Sequence, residues 1–320
     1  MDKKIKVAFV GSGLIGTGLA LNSIINGFPV AMQTRRQIDL CKSRISEGLE
    51  FLTGEGIITA EEADEAAGLV LYTTSIEEAV SGAGFIQESG PDSLELKQEL
   101  VAEIEKFAPA DAVIASSTSS QLITNIFAKA EHPERGMGGH PYLPAHLMPL
   151  IEITRGEKTT DEYISKAKEF YTAIGKEPVV LNKEVVGFIA NRFQSAIHRE
   201  AVDLVEKGVC SVEDADKALV NSLGLRWSIH GQFLSLHLSA SPDGIGKFME
   251  RYRMDPAKPE PRLADMATWS VYPPDWDKKA EEGLLPALAN RAPETGRDIP
   301  SIEAWRNKML VATLRLHGKL

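Results

Sequence analysis

Three closely spaced glycines near the amino terminus constrain the fold of this chain more than any other feature of its sequence. In the segment VAFVGSGLIGTGLA they directly follow an apolar run and stand at the start of a helical pattern. In such a spacing the first glycine makes a tight turn, the second lets the backbone approach a pyrophosphate, and the third lets helix and strand pack closely. The free N–H groups of the helix N-terminus then attract the phosphates. A second strand-like run begins at Val30, so the sequence predicts a βαβ unit whose dinucleotide site is made by Gly11, Gly13, Leu14, Ile15 and Gly16.

Short apolar runs alternate with helical stretches throughout residues 1–184. Strands separated by helices predict parallel βαβ crossovers and a doubly wound sheet of the Rossmann type. Between the second and third strands, Gln37–Gly68 is predicted to form one helix, a turn at Gly54–Gly56 and a short helix. The predicted strands are Ile5–Val10, Val30–Gln33, Leu69–Thr73, Gly84–Glu88, Ala112–Ala115, Gly136–Gly139, Ile151–Thr154 and Pro178–Leu181.

From residue 185 onward the pattern becomes mostly helical. Apolar residues recur at helical spacing in Ile189–Lys207, Ser211–Ser222, Phe233–Leu238 and Ile302–His317. Prolines are frequent in residues 254–300, which predicts an irregular segment there. The sequence therefore predicts an α/β fold with two domains, a nucleotide-binding domain over residues 1–184 and an all-α domain over residues 185–320.

Composition and charge exclude several classes of function. Of the residues, 43% are hydrophobic and 25% are charged, a balance typical of globular proteins. The net charge of −10 argues against a nucleic-acid or membrane partner, because either favours a basic surface. Cys41 and Cys210 form no metal-ligand pattern, and His230 and His237 have no third ligand at a useful spacing, so no metal is implied. No leader-like segment precedes the first strand, which predicts a cytoplasmic protein.

The end of the second strand decides which dinucleotide is preferred. A site for NAD usually places an acidic residue there to accept a hydrogen bond from the ribose 2′-hydroxyl. This chain instead has Thr34, followed by Arg35 and Arg36. A hydroxyl beside two guanidinium groups favours a 2′-phosphate, so the sequence predicts NADP(H) as the preferred cofactor and NAD(H) as the alternative. The competing interpretation is that both arginines are solvated residues that stack on the adenine.

Three further segments occur in an order that resembles the 3-hydroxyacyl-CoA dehydrogenase superfamily over the whole chain. They are ASSTSSQ around Ser119, GGHPYLPAHLMPLIEITRG from His140 to Glu152, and VVGFIANRF with Asn191. The stretch GLRWSIHGQFLSLHLSA looks most like the short-substrate branch, which contains L-gulonate 3-dehydrogenase (lambda-crystallin) and carnitine 3-dehydrogenase. The resemblance implies oxidation of the 3-hydroxyl of a small 3-hydroxy acid, or reduction of the 3-oxo acid.

The resemblance also implies roles for individual residues. His140 stands at the position of the catalytic base, for which histidine is suited because its pKa lies near neutrality. Glu152, twelve residues on, matches the carboxylate that orients the imidazole. Ser119 and Asn191 match residues that hydrogen-bond the substrate oxygen; in the competing interpretation each side chain serves only as a helix cap. By similarity, Asp92 and Lys97 lie near the nicotinamide half of the cofactor.

The substrate end of the site departs from the family pattern. Leu143 stands where the family commonly has an asparagine, and His230 and Gln232 replace an apolar residue and a proline. Arg226 occupies a position that the short-substrate branch also fills with arginine, and an arginine fork suits a carboxylate; the competing interpretation is a structural ion pair. The region Gln37–Gly68 looks shorter than the corresponding arm of the fatty-acyl enzymes, which favours a small free acid.

The resemblance further implies a homodimer formed through the helical domain. The alternative functions are a 3-hydroxyacyl-CoA dehydrogenase, a β-hydroxyacid dehydrogenase of the 6-phosphogluconate type, which would need a catalytic lysine, and a non-catalytic, crystallin-like dinucleotide-binding protein. The segment HPYLPAHLMPLIE argues against the second alternative, and the joint presence of Ser119, His140, Glu152 and Asn191 argues against the third.

Overall fold

A computed structural model describes residues 5–239, 241–247 and 265–320. The chain divides into two compact units, Met1–Arg192 together with Leu320, and Phe193–Lys319.

All eight predicted strands are present in the first unit, within one or two residues of the expected ends. They form one sheet in the order β3-β2-β1-β4-β5-β6-β7-β8. Every neighbouring pair is parallel except β6 and β7, which run antiparallel. The strands are β1 Lys6–Val10, β2 Val30–Gln33, β3 Val70–Thr73, β4 Ala83–Glu88, β5 Val113–Ser116, β6 Gly136–Pro141, β7 Leu150–Arg155 and β8 Glu177–Leu181.

The expectation of parallel crossovers throughout is wrong for β6 and β7. A parallel connection needs a dozen or more residues, usually with a helix. Residues 142–149 are too few for that connection, so the chain turns back and places β7 antiparallel to β6.

Helices cover both faces of the sheet because its strands are apolar on both sides. In β1, Val7 and Phe9 belong to one buried cluster, whereas Ala8 and Val10 belong to another on the opposite face. The predicted helix, turn and short helix between β2 and β3 are confirmed as α2 and α3. The helices of the first unit are α1 Leu14–Ile25, α2 Ile38–Gly54, α3 Ala60–Ala67, α4 Ile76–Val80, α5 Leu94–Glu105, α6 Ile123–Ile126 and α7 Asp161–Ala173.

The second unit is helical in the part that the structure describes, as the sequence predicts. Helix α8, Ala190–Glu206, begins at the end of the first unit and continues into the second. The predicted helix Ser211–Ser222 is α9, Val212–Ala218, which continues as a π-type segment, Leu219–Gly224. The remaining helices are α10 Leu225–Trp227, α11 Gln232–Ser239, α12 Trp276–Ala289 and α13 Ile299–Leu316.

The proline-rich segment is more regular than predicted. Within it, α12 has the sequence WDKKAEEGLLPALA, whose strong helix formers outweigh the single Pro286. The prediction of an irregular structure is therefore wrong for Trp276–Ala289, and residues 254–264 of the same prediction lie outside the described residues. Among the described helices, none is long and apolar enough to cross a membrane. The cytoplasmic location stays a prediction.

Candidate active site

The carboxyl ends of β1, β4, β5 and β6 meet at one edge of the sheet because these strands are parallel. The strand order reverses between β1 and β4, and open α/β sheets bind ligands at such a switch point. Gly11, Ser89 and Ser117 directly follow three of these strands, and His140 lies at the end of the fourth. The predicted site residues of the first unit therefore come from loops, strands and the first turns of helices at this edge.

The glycine loop has the shape that a pyrophosphate requires. Gly11 has a φ of +115°, and a Cβ there would lie 2.5 Å from the carbonyl oxygen of Ser89. A Cβ at Gly16 would lie 2.1 Å from the carbonyl oxygen of Gly11, so only glycine allows this contact between helix and loop. A Cβ at Gly13 would meet no atom of the described chain within 4 Å. Open space therefore lies beside Gly13, beyond which the exposed Leu14 begins α1, and the loop fits a dinucleotide.

At the end of β2 the Thr34 hydroxyl is buried and accepts a hydrogen bond from the Ser12 hydroxyl at 2.8 Å. The side chains of Arg35 and Arg36 are exposed and have no partner in the part of the chain that the structure describes. A third arginine, which the sequence reasoning missed, lies close by. Arg44 on α2 donates from Nη1 to the carbonyl oxygen of Ser12 at 2.7 Å. No motif marks Arg44, because its approach to the loop results from the packing of α2 against α1.

His140 and Glu152 form a buried pair across β6 and β7. They are direct partners in the antiparallel register, with side chains 7% and 1% exposed. His140 Nδ1 lies 3.0 Å from Glu152 Oε2. The hairpin thus explains why a spacing of twelve residues brings imidazole and carboxylate together.

Glu152 accepts three more hydrogen bonds. Its Oε1 receives the backbone N–H groups of Ile189 and Ala190 at 2.9 and 3.0 Å, and its Oε2 receives the Tyr142 hydroxyl at 2.8 Å. Burial raises the pKa of Glu152, but hydrogen bonds from His140, Ala190, Tyr142 and Ile189 together hold that pKa below its ordinary value. Glu152 is therefore a carboxylate at neutral pH.

A tight turn aims the two backbone donors at Glu152. Gly187 and Phe188 have φ values of +77° and +48°, a region that non-glycine residues rarely adopt. The Phe188 ring is buried, with its centroid 5.2 Å from that of His140, and this packing holds the backbone there. Because α8 begins directly after this turn, its free N–H groups and positive dipole end face the carboxylate.

Asn191 lies in the first turn of α8, and its backbone N–H donates to the Tyr142 hydroxyl at 3.1 Å. Glu152, rather than Asn191, accepts the first free amides of the helix, so the capping interpretation of Asn191 is not supported. Ser119 lies half-buried in the loop after β5. Since α6 begins after Leu122 without a side-chain cap, Ser119 does not cap it. The side chains of Ser119 and Asn191 have no hydrogen-bond partner among the residues described.

Asp92 and Lys97 are occupied by partners within the protein. Asp92 accepts hydrogen bonds from the hydroxyls of Thr118 and Ser120, both at 2.8 Å. It thereby joins the loop after β4 to the loop after β5, with one contact on each side of Ser119. Lys97 is 2% exposed, and its Nζ lies 3.0 Å from Glu88 Oε2. Both residues support the loops at this edge of the sheet.

Arg226 belongs to the second unit, in α10. Its side chain is exposed and forms no ion pair with any described residue. The neighbouring Trp227 donates from Nε1 to Gln232 Oε1 at 2.8 Å. Gln232, which departs from the family pattern, thus holds the segment that carries Arg226. Leu143, the other departure, is 53% exposed in the segment between β6 and β7.

Comparisons with known proteins agree with this architecture. The 3-hydroxyacyl-CoA dehydrogenase NAD binding domain matches residues 6–185, and the 3-hydroxyacyl-CoA dehydrogenase C-terminal domain matches residues 187–278. The L-carnitine dehydrogenase of Pseudomonas sp is 36% identical, with 97% of this chain and 93% of that protein covered. The L-carnitine dehydrogenase of Oceanobacillus iheyensis is 33% identical, with 97% of each chain covered.

A solved structure extends the same result. The crystal structure of an NAD+-dependent dismutase, 5-formyl-3-hydroxy-2-methylpyridine 4-carboxylic acid 5-dehydrogenase, matches with a TM-score of 0.81 and 28% identity, and 98% of both chains is covered. Because the two domain matches together span most of the sequence and near relatives align over nearly its whole length, the chain belongs to the 3-hydroxyacyl-CoA dehydrogenase family.

Proposed function

We propose that this dehydrogenase oxidises the 3-hydroxyl of a small 3-hydroxy carboxylic acid, or reduces the corresponding 3-oxo acid, with His140 and Glu152 as the general base pair. The observation that supports this most directly is the 3.0 Å contact of His140 Nδ1 with Glu152 Oε2 in a buried setting. A buried carboxylate on one imidazole nitrogen is the arrangement that fixes the tautomer of a catalytic histidine.

The chemistry follows from that tautomer. Glu152 is an acceptor, so neutral His140 carries its proton on Nδ1 and presents the lone pair of Nε2 to the substrate. In oxidation, Nε2 takes the proton of the 3-hydroxyl while a hydride leaves carbon 3, and the C=O bond forms. Glu152 then stabilises the imidazolium. A bound nicotinamide ring supplies the hydride acceptor, or the hydride donor in the reverse direction. We assign Ser119 and Asn191 to align the substrate oxygen.

For the cofactor we propose a preference for NADP(H), with NAD(H) as the alternative. Support comes from the end of β2, where Thr34 replaces a carboxylate and Arg35 and Arg36 are exposed without partners among the described residues. Asp92 and Lys97 support the nicotinamide half through the loops they hold. The test is the ratio of kcat/KM for the two cofactors with one acid substrate, and a clear preference for NAD(H) would contradict the proposal.

For the substrate we propose a free acid whose carboxylate is bound by Arg226. L-Carnitine, a 3-hydroxy acid with a trimethylammonium group, is the first candidate, because several relatives are named L-carnitine dehydrogenase. By the family resemblance, the region of α2 and α3 is shorter than the corresponding arm of the fatty-acyl enzymes, which favours a free acid over a coenzyme A thioester. If Arg226 binds the carboxylate, Arg226→Ala raises KM strongly, whereas Arg306→Ala, in α13, leaves it unchanged. Unchanged KM and kcat for Arg226→Ala would remove this residue from the site.

The experiment that tests the function is a substrate panel with NADP(H) and NAD(H). It compares L-carnitine, D-carnitine, L-gulonate, 3-hydroxybutyrate and 3-hydroxybutyryl-CoA in both reaction directions. We expect turnover of at least one free acid and little of the thioester. Nucleotide binding without turnover of any compound would support the non-catalytic alternative, and preference for the thioester would support the acyl-CoA enzyme.

We propose that the protein is a homodimer formed through the helical unit. Large apolar side chains recur on the surface of that unit, and monomeric proteins rarely expose such residues in groups. They include Leu225, Ile229, Phe233, Leu234 and Leu238, which are 50–78% exposed. Sedimentation analysis should give twice the chain mass, and Phe233→Lys should shift the equilibrium toward monomer. A wild-type protein that is monomeric at all concentrations would contradict this.

A further inference from the structure

The hydroxyl of Tyr142 connects Glu152, which the proposed function assigns to the general base pair, with Asn191, which it assigns to the substrate oxygen. It donates to Glu152 Oε2 at 2.8 Å and accepts from the Asn191 backbone N–H at 3.1 Å. The Tyr142 ring packs edge-on against His140, with the ring centroids 4.7 Å apart. One side chain therefore touches the base, its carboxylate and the first turn of α8.

The donors around Glu152 are arranged so that Tyr142 competes with His140. Oε1 is occupied by two backbone N–H groups, and Oε2 is shared by His140 Nδ1 and the Tyr142 hydroxyl. A carboxylate offers about four acceptor positions, so these donors saturate it. Each donor draws negative charge from the oxygen it binds. The Tyr142 hydroxyl therefore weakens the hold of Oε2 on a protonated imidazole.

The hydroxyl remains a donor at neutral pH. Burial, the hydrogen bond to Glu152 and the negative charge of that carboxylate all raise the pKa of Tyr142 well above its ordinary value. Its effect on Oε2 is thus constant around neutral pH.

We propose that Tyr142 is a positioning residue that sets the proton affinity of His140 by sharing Glu152 Oε2, and that the same hydroxyl holds Asn191 in register with the base. The proposal rests on the proposed role of His140 and Glu152 as the general base pair. Sharing the carboxylate keeps His140 neutral at lower pH, which is the form that accepts a proton in the oxidation. Anchoring the backbone of Asn191 places its free side chain at a fixed distance from that base.

The elements around Glu152 carry other charged and titratable groups. Before β8, the Lys176 ammonium binds the carbonyl oxygens of Ala145 and Met148. On α7, the Tyr171 hydroxyl binds Gln87, and at the end of β7, Arg155 pairs with Asp161. Glu177 begins β8, and Arg192 lies exposed in the first turn of α8. Among the titratable side chains described, only Tyr142 and His140 have a hydrogen bond to Glu152.

The test measures the titration of His140 directly, by NMR of the 15N-labelled imidazole in the free protein, with His140→Asn used to assign the signal. In Tyr142→Phe we expect the midpoint to rise by about one pH unit, because Oε2 then binds only the imidazole. Placing 3-fluorotyrosine at position 142 makes the phenol a stronger donor and should lower the midpoint. Tyr163→Phe, a matched change on α7 away from the pair, should leave the midpoint unchanged.

The kinetic readout should follow the titration. The acid limb of the pH profile of kcat/KM for oxidation should move up in Tyr142→Phe, and KM should rise because Asn191 has lost its anchor. An unchanged His140 midpoint in Tyr142→Phe would overturn the proposal, even if thermal stability or KM changed, since those effects need only a structural role. A shift of the same sign with 3-fluorotyrosine would also overturn it. Because the titration needs no substrate, a failure of the proposed function in the substrate panel can be distinguished from a failure here.

Discussion

The glycine loop after β1 and the His140–Glu152 pair lie at the same edge of one sheet, but they differ in how they are built. The loop lacks side chains where a ligand would lie, since a Cβ at Gly13 would meet no atom of the described residues within 4 Å. The loop therefore offers backbone N–H groups as donors. The pair works through two buried side chains whose carboxylate accepts four hydrogen bonds from named donors. The loop must leave room for a ligand, whereas the pair must exclude water and fix one proton.

This difference has a consequence for substitutions. A change in the loop should act on nucleotide binding, because that is where an added atom would lie. A change in the pair should act on the chemical step and leave nucleotide binding intact, since the pair comes from the opposite half of the sheet. Variants that separate binding from turnover therefore test whether the two regions are independent.

The largest effect is expected for His140→Asn. Asparagine retains a polar side chain of similar size but cannot take the hydroxyl proton, so kcat/KM for oxidation should fall by about a thousandfold. The affinity for the reduced nucleotide, measured by fluorescence titration, should stay the same. His132→Asn is the control, because His132 is exposed and pairs with Glu134 at the surface. Activity of His140→Asn within tenfold of the wild type would exclude a general-base role.

The next effect separates two glycines of the loop. Gly11→Ala places a Cβ 2.5 Å from the Ser89 carbonyl at a φ of +115°, so it should destabilise the fold by about 1–3 kcal/mol. In Gly13→Ala the added Cβ meets no protein atom among the described residues, so the unfolding temperature should be unchanged. The nucleotide affinity should fall by about tenfold or more, because the Cβ would occupy the space where the pyrophosphate approaches the backbone. Thermal unfolding and nucleotide titration of both variants provide the comparison. Normal nucleotide affinity in Gly13→Ala would mean that the pyrophosphate lies elsewhere.

The same contrast explains what the sequence predicts and what it does not. The eight strands and the glycine loop could be predicted because apolar runs and residue spacing are local properties. His140 and Glu152 could be paired because a family resemblance covers their segment, and the antiparallel register then explains the spacing. Tyr142, Phe188 and Arg44 could not be predicted to contact the site. Phe188 and Arg44 reach the site through contacts between segments that are distant in sequence, whereas Tyr142 lies in the same hairpin as the pair and its second contact is with the start of α8.

Two segments differ from the sequence prediction. The antiparallel turn between β6 and β7 follows from the short link between them, although strands and helices alternate elsewhere in the unit. The helix Trp276–Ala289 forms although its neighbourhood is rich in proline, because only Pro286 falls inside it. For this helix, the composition of the element itself determines the structure, rather than the average over the surrounding residues.

A smaller effect is expected at the adenosine end of the nucleotide region. Thr34→Asp introduces a carboxylate that repels a 2′-phosphate and accepts from a ribose hydroxyl. The ratio of kcat/KM for NADP(H) to that for NAD(H) should fall by about tenfold to a hundredfold, as expected for the loss of one charge-assisted hydrogen bond. The activity of the His140–Glu152 pair with saturating NAD(H) should not change. Thr53→Asp, near the end of α2, is the control, and equal ratios in both variants would contradict the assignment of Thr34.

The half of the sheet that carries the His140–Glu152 pair contains one buried cation without a carboxylate partner among the described residues. Lys176, 4% exposed, donates to the carbonyl oxygens of Ala145 and Met148 in the segment between β6 and β7. Burial lowers the pKa of Lys176 to about 7. The segment that follows His140 is thus held by a side chain whose charge changes near neutral pH.

The smallest predicted effect is the pH dependence of stability that Lys176 confers. Between pH 7 and 10.5 the unfolded chain keeps the proton that the folded chain has lost, so this group makes the free energy of unfolding increase as pH rises, by at most about 1.4 kcal/mol per pH unit. Below pH 7 both states are protonated and the contribution is constant. Urea unfolding of wild type and Lys176→Met should therefore diverge in favour of the wild type from pH 7 to pH 9.5. Lys166→Met, on the exposed side of α7, should show no such divergence. Parallel pH curves for wild type and Lys176→Met would mean that Lys176 stays charged in the folded protein, held by the two carbonyl oxygens alone.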